Sequence, residues 1–343
     1  MAVSIFRTST MLRALRVMRP PQTFLRDTFF APVERFDTEE VELDIRKDKR
    51  RLAPYVRPTE ASKLMERIGY TTRRYKAPYL KPKMVTTAAD LLKRPFGANP
   101  YQPTPSPVQR AAARLGEDIM ELWESVLRRQ EANCAEALLT GLVTVKGDTI
   151  DEQIDYLMDG NHIITLAGAD LWTDPASDPL ADIRVWIRMI LQKTGKRARA
   201  CIMGNDVHKA FENHAKVQSI LDVRRINNVV EIDRNNEGLP PGAEYVGKAE
   251  GVKFYVYDEW YIDPATGLET QMIPDNKLIL GCTDARTSKL YGAIQDDDSL
   301  VPVEYFPTSW KEKDPPRRYV MIQSAFMPGL HQPDCFISVQ ATA

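Results

Sequence analysis

The chain of 343 residues has room for about two domains of ~150 residues each, and at 39.0 kDa it is too large for a small disulfide scaffold. Hydrophobic residues make up 43% and charged residues 27%, with 46 Lys+Arg against 47 Asp+Glu, a globular composition that excludes a disordered chain. Apolar runs such as 163–169 fall short of the ~18 residues of a spanning helix, and Cys134, Cys201, Cys282 and Cys335 are scattered without a Cys-x-x-Cys, which predicts free thiols in a reducing compartment.

The first 26 residues carry Arg7, Arg13, Arg16, Arg19 and Arg26 with no acid before Asp27. This matches a transit peptide superficially. Met11, Leu12, Leu15 and Met18 recur at helical spacing up to Pro20 and Pro21, so the segment reads as an amphipathic helix in an ordered or partner-binding arm. In 36–45, Val41, Leu43 and Ile45 alternate with acids as in a half-buried strand.

The near-zero total charge conceals a segregation. Residues 46–94 hold fifteen Lys/Arg against four Asp/Glu, a net of +11, so the rest of the chain sums to −12. Pro54, Pro58, Pro78 and Pro82 and four tyrosines interrupt this stretch, and its apolar alternation is too weak for a core element. It reads as a long projecting hairpin whose partner is another chain. Nine acids and no Lys or Arg lie between Asp148 and Asp182, and Glu117–Glu136 is acid-rich, so a complementary surface exists in the same sequence.

After a break at 90–104, Ser106 as N-cap and Pro107 at the first helical position open a long helix. Val108, Ala112, Leu115, Ile119, Leu122 and Val126 form one apolar stripe along a helix predicted to reach Leu139, about 50 Å at 1.5 Å per residue. Leu142–Val145 and His162–Leu166 read as paired strands. From Asp178 the pattern becomes helix 180–192, strand 198–203 and helix 206–215. Strands follow at 229–232, 243–246, 252–260 and 277–282, then at 318–324 and 336–339.

Catalytic signatures are absent from the sequence. There is no G-x-G-x-x-G, no G-x-S-x-G and no H-E-x-x-H, and Gly195-Lys196 lacks the flanks of a phosphate loop. His208 and His214 are six apart, too far for two ligands on one helix face, and His162 and His331 read as structural histidines. Asp296, Asp297 and Asp298 lack calcium-loop spacing and read as a solvated turn. The basic segment with interleaved tyrosines also suits single-stranded nucleic acid, through phosphate contacts and base stacking.

Longer segments carry a resemblance. FDTEEVELDIRKDKRRLAPYVRP (36–58), YLKPKM (79–84), PDNKLILGCTDARTSKLYGAIQDDDS (274–299) and RRYVMIQSAFMPGLHQPDCFISVQ (317–340) are similar to the major capsid protein E family of lambda-like tailed phages, with the likeness covering about 28–341. The resemblance implies an α+β protein with the tailed-phage and herpesvirus major capsid protein fold. Its parts would be an N-terminal arm (1–45), an E-loop (46–94), a P domain (95–174) with spine helix 106–139, an A domain (175–304) and a return to the P domain (305–343). In that fold the E-loop lies over a neighbouring subunit, so Arg50, Arg51, Arg73, Arg74 and Lys76 are expected to face Glu117, Glu121 and Glu124 of that neighbour.

The implied function is assembly without catalysis, cofactor or metal: an icosahedral shell of hexamers and pentamers enclosing double-stranded DNA. The implied partners are copies of the chain, a portal protein, a scaffolding protein in trans, packaged DNA bound without sequence specificity and, in some members, a decoration protein. The 45 residues before the E-loop are few for a fused scaffold. Lys63, Lys76, Lys81 and Lys83 supply amines for a Lys–Asn cross-link, but no acceptor is identifiable. The alternatives are an encapsulin-type nanocompartment shell and a nucleic-acid-binding protein using 46–94.

Overall fold

The computed structural model describes residues 6–18, 22–47, 51–65, 67, 69–87, 106–147, 150–224, 238–264, 266–296 and 299–343. Arg50, the break at 90–104, the strand expected at 229–232 and two of the three consecutive aspartates lie outside those residues.

The long helix runs Pro107–Thr140, with a capping box between Ser106 and Gln109 at its start and Gly141 at φ 69° at its end. Gly141 is the residue that the left-handed C-cap requires, because a side chain there would be strained. The apolar stripe buries Leu115, Ile119, Leu122 and Val126, but Val108 in the first turn is exposed. Along its length the helix joins two cores. Its first half packs Leu115, Ile119, Leu122, Trp123, Val126 and Leu127 against Val320 and Ile322 of the strand Arg317–Leu330 and against Met11 and Leu15 of the arm helix Thr8–Val17. Its second half, including Cys134, Ala137 and Leu138, enters the main core.

Two six-stranded sheets flank the helix. In the first, the 14-residue strand Arg317–Leu330 is the organiser: Phe306–Glu312 and Thr287–Tyr291 pair with it, as do Tyr79–Leu80 and Lys83–Thr87. Val33–Arg35 adds in parallel to Thr287–Tyr291. The second sheet has the order Ala243–Ala249, Val252–Tyr257, Ala200–Met203, Lys277–Gly281, Phe336–Gln340, Ile163–Thr165. Every residue of Ala200–Met203 is buried, as its run of apolar residues requires in a central strand. The helices Pro179–Thr194 and Asn205–Asn213 contribute Ile183, Trp186, Ile190, Val207 and Phe211 to the same core.

Two sequence expectations are corrected by this pairing. Leu142–Gly147 pairs with Ile150–Asp155 in a tight hairpin, not with 162–166, because the strand Ile163–Thr165 is drawn to the edge of the second sheet beside Phe336–Gln340. The basic segment 46–94 is not one hairpin: the antiparallel pair is Glu40–Ile45 with Thr71–Lys76, and 79–87 belongs to the first sheet. The C-terminal stretch contributes 306–330 to the first sheet and 336–340 to the second.

Candidate inter-subunit surfaces and the arm anchor

The hairpin Glu40–Ile45/Thr71–Lys76 is built by alternation. Val41, Leu43 and Ile45 point into the core, and Glu40, Glu42 and Asp44 point out. On the outer face Glu42 sits opposite Arg74 and pairs with it at 2.8 Å, and Asp44 accepts from the Thr72 hydroxyl at 2.6 Å. On the inner face Arg73 donates to Asp155 and to the Tyr75 hydroxyl, both at 3.1 Å, which ties the hairpin to the end of Ile150–Asp155.

Beyond these strands the described loop residues form no core of their own. Leu52 and Leu64 are 94% and 97% exposed, Tyr55 is fully exposed, and Tyr70 is largely so. A monomer gains nothing by presenting such side chains together on one loop, and an exposed group of large apolar residues marks an interaction surface. Arg51, Arg57, Lys63 and Arg67 are interspersed among them.

The acids expected to receive the basic residues lie along the long helix. Glu117 is 3.5 Å from Arg114, Glu121 is exposed and Glu124 is half-buried, and neither of the last two joins an ion pair among the described residues. No ion pair between described residues joins these glutamates to Arg51, Arg73, Arg74 or Lys76 within the chain. Arg73 and Arg74 instead hold acids of their own chain, and Lys76 ends its strand exposed.

A second cluster was not anticipated from the sequence. The short helix Leu25–Phe29 begins against Glu131 of the long helix, which is 1% exposed. Glu131 accepts from the backbone N–H of Phe24 at 2.9 Å, Leu25 at 2.6 Å and Arg26 at 2.9 Å, and from the Tyr257 hydroxyl at 3.0 Å. The carboxylate thus satisfies donors that a helix start leaves without intrahelical partners. Burial pushes the Glu131 carboxyl up, and these hydrogen bonds pull it back.

Arg26, itself buried, reaches Tyr305 at 3.3 Å and Tyr291 at 3.4 Å. Burial opposes its charge, but Tyr305, Tyr291 and Asp27 outweigh that and hold it firmly protonated. Lys289 closes the cluster by donating to Asp27. The arm is thereby fastened at the meeting point of the long helix, the first sheet through Lys289 and Tyr291, and the second through Tyr257. The signal was present: Gln130, Glu131 and Asn133 are polar where the stripe should continue after Val126, and all three are buried.

Residues 7–341 match the sequence profile of the family described as phage major capsid protein E. The chain belongs to that family. It is 28% identical over 326 residues to the major capsid protein of Escherichia phage lambda, covering 92% of this chain and 93% of the relative. The major capsid protein of Escherichia phage N15 is likewise 28% identical over 326 residues, with the same coverage. Among solved structures, a protein assigned as the capsid protein of a prophage of E. coli CFT073 superposes over 100% of both chains with a TM-score of 0.77 at 20% identity. A phage-related protein of Bordetella bronchiseptica gives 0.57 at 11% identity, over 99% of this chain and 98% of the other. The fold is therefore the tailed-phage capsid protein fold, of class α+β.

The phage major capsid protein E family is structural, and the polar contacts that superficially suggest chemistry are consistent with that. Ser177 Oγ lies 3.2 Å from His214 Nε2, but Nε2 is also 3.3 Å from the Asp174 carbonyl. A carbonyl only accepts, so Nε2 carries a proton and is not available as a base toward Ser177. Ser177 Oγ itself donates to the Asp174 carbonyl at 2.8 Å. His331 bridges Ser288 and the Asp44 carbonyl at 2.8 Å each, and so holds the base of the outer hairpin. No group of three metal-ligating side chains occurs among the described residues, and no helix there is long and apolar enough to cross a membrane.

His162 yields a pH prediction. Fully buried, it meets the Phe336 carbonyl at 2.8 Å through Nδ1, and burial lowers its pKa below the ordinary 6.5. The unfolded chain then binds more protons than the folded one as pH falls below about 6.5. The stability contribution is complete above that pH and declines beneath it, by at most about 1.4 kcal/mol per pH unit. Urea unfolding at pH 7 and 5.5 should show this slope, and His162→Gln should reduce it.

Proposed function

We propose that this chain is the shell-building subunit of a tailed-phage head, with copies joined as hexamers and pentamers into a closed icosahedral shell around double-stranded DNA. The observation that carries the reading, beside family membership, is the loop 51–65: exposed apolar side chains interspersed with cations, held out on a hairpin whose base is locked into the core. In this reading the loop with its hairpin is the E-loop, Pro107–Thr140 is the spine helix, the first sheet belongs to the P domain and the second to the A domain. The exposed cations Arg51 and Lys76, with Arg50, would face Glu117, Glu121 and Glu124 of a neighbour. Arg73 and Arg74 would act indirectly, by fixing the hairpin's direction through Asp155 and Glu42.

Each exposed pair is worth about 0–1 kcal/mol and is screened by salt, so such pairs set register rather than strength. Heterologous contacts of this type close into rings, which lets one chain form both hexamers and pentamers. A portal protein, a scaffolding protein in trans, a decoration protein and packaged DNA are the further partners of such a subunit. Assembly takes place in the host cytoplasm and the product is the virion.

Negative-stain electron microscopy tests the reading, on the protein expressed alone and with the neighbouring genes of its operon. Closed shells tens of nanometres across are expected from at least one preparation. Monomers or small oligomers in both, with salt-dependent DNA binding through 46–94, would replace it with a nucleic-acid-binding function.

A further inference from the structure

Two connections run side by side between the sheets. Residues 282–286 carry the chain from Lys277–Gly281 in the second sheet to Thr287–Tyr291 in the first, and 331–335 carry it from Arg317–Leu330 in the first back to Phe336–Gln340 in the second. Each contains one cysteine: Cys282 begins the first connection and Cys335 ends the other.

Register brings these two cysteines together. Lys277–Gly281 and Phe336–Gln340 are antiparallel with Gly281 opposite Phe336, and one step further the Cys282 N–H donates to the Cys335 carbonyl at 3.2 Å. Directly opposed residues present their side chains on the same face. A pair that exchanges both backbone hydrogen bonds has its Cα atoms about 5.5 Å apart, inside the span of roughly 4.4–6.8 Å that a disulfide bridges; here one of the two bonds is made, and the Cys335 N–H turns to the Gln332 carbonyl at 3.2 Å. Both thiols are buried, and each shifts the proton affinity of the other. The other two cysteines differ. Cys134 has Glu131 and Arg26 acting on it rather than a thiol, and burial alone perturbs Cys201.

We infer that Cys282 and Cys335 are an oxidative cross-linking site, reduced in the cytoplasm and closed to an intrachain disulfide by peroxide once the protein leaves it.

The surroundings assign roles to the two sulfurs. The Cys335 thiol is pulled below its ordinary value by the adjacent Cys282 thiol, against the effect of burial, and also by the Lys196 ammonium and the Thr194 hydroxyl. Lys196 is held there by Gln332 Oε1 at 2.8 Å and by the Asp284 carbonyl, and Cys335 Sγ lies 3.9 Å from the same Gln332 oxygen. Cys335 is therefore the attacking sulfur and Cys282 the resolving one. Access is through the turn beside Cys282, where Thr283 and Asp284 are exposed, and a peroxide molecule is small enough to enter when that turn opens.

In the first step the Cys335 thiolate attacks one peroxide oxygen and the O–O bond breaks. The departing hydroxide takes up the Cys335 proton as water and leaves a sulfenic acid. Cys282 sulfur then attacks Cys335 sulfur, the S–O bond breaks, and hydroxide leaves with the Cys282 proton as a second water. Two thiols are oxidised to one disulfide and one peroxide is reduced to two waters. The product would staple the two connections where they meet the second sheet.

The test treats the purified folded protein with hydrogen peroxide, removes the oxidant, denatures without reductant and alkylates with N-ethylmaleimide. Untreated protein should take up four maleimides, one for each cysteine in the sequence. Treated protein should take up two, lose two hydrogens in mass, and yield a cross-linked peptide containing Cys282 and Cys335 that dithiothreitol splits. Cys282→Ser should give no cross-link and should leave Cys335 as a sulfenic acid that dimedone traps. Four maleimides after treatment, over-oxidised Cys335 in the wild type without a cross-link, or a disulfide through Cys134 or Cys201 would each overturn the inference. Because the wild-type result decides alone, a folding defect in the variant does not protect the claim.

Discussion

Replacing Glu131 with alanine is expected to lower the free energy of unfolding by about 3–5 kcal/mol, the range for breaking a buried charged network from one side. The substitution removes the acceptor for the N–H groups of Phe24, Leu25 and Arg26, while the Tyr257 hydroxyl keeps Glu259 at 2.8 Å. Each buried donor left unsatisfied costs about 1–3 kcal/mol, and partial relaxation keeps the total below the sum. Arg26, a buried charge beside Tyr291 and Tyr305, then lies on a helix that has lost its anchor and opens more often. Trypsin should then cleave the arm at Arg26 in protein whose core remains folded. Glu131→Gln keeps one acceptor oxygen and the side-chain shape, so its loss should be about half as large. Urea midpoints and the arm's cleavage rate check both variants. A loss under about 1 kcal/mol with a protected arm would mean that burial of Phe24, Leu25 and Phe29 holds the arm, and that Glu131 is incidental.

That anchor also marks where sequence reading stopped. The long helix was legible because its caps are local: Ser106, Pro107 and Gly141 act within a few residues of themselves. The strand Glu40–Ile45 was legible for the same reason, its period of two being visible without any partner. Pairing is not local. Ile163–Thr165 has no feature that selects Phe336–Gln340 over Leu142–Gly147, and only the completed second sheet provides the edge that attracts it. Lys83–Thr87 looked like part of a basic loop because its burial comes from the strand Arg317–Leu330, more than two hundred residues away.

Charge segregation singled out a basic stretch, but two of its cations hold acids of their own chain. Arg73 and Arg74 lie on strands, where cross-strand neighbours such as Glu42 and nearby hairpin ends such as Asp155 are within reach. The apolar members of the loop were harder to read, because Leu52, Tyr55 and Leu64 have no periodicity that distinguishes a docking residue from a loop residue.

Those three side chains give the second large effect. The triple variant Leu52→Ser, Tyr55→Ser, Leu64→Ser should unfold within about 0.5 kcal/mol of the wild type, as surface substitutions outside any packed contact do, since all three are almost wholly exposed in the subunit. It should nevertheless fail to form shells. Burying a Leu or aromatic side chain is worth about 1.5–3 kcal/mol, so three lost anchors remove several kcal/mol from every contact the loop makes, and a closed shell repeats that contact over its whole surface. Sedimentation should show particles for the wild type and slow species for the variant at equal concentration.

Reversal of Arg73 and Arg74 to glutamate cannot make this separation, because it places like charges beside Asp155 and Glu42 within the subunit. Glu121→Lys with Glu124→Lys is the matching test on the receiving side, since neither residue joins an ion pair among the described residues. The double reversal should slow assembly most at low salt and little at high salt. The serine variant should be defective at both, because apolar burial is not screened. Normal shells from the serine variant would show that the loop does not dock on a neighbour, whatever the behaviour of the charges.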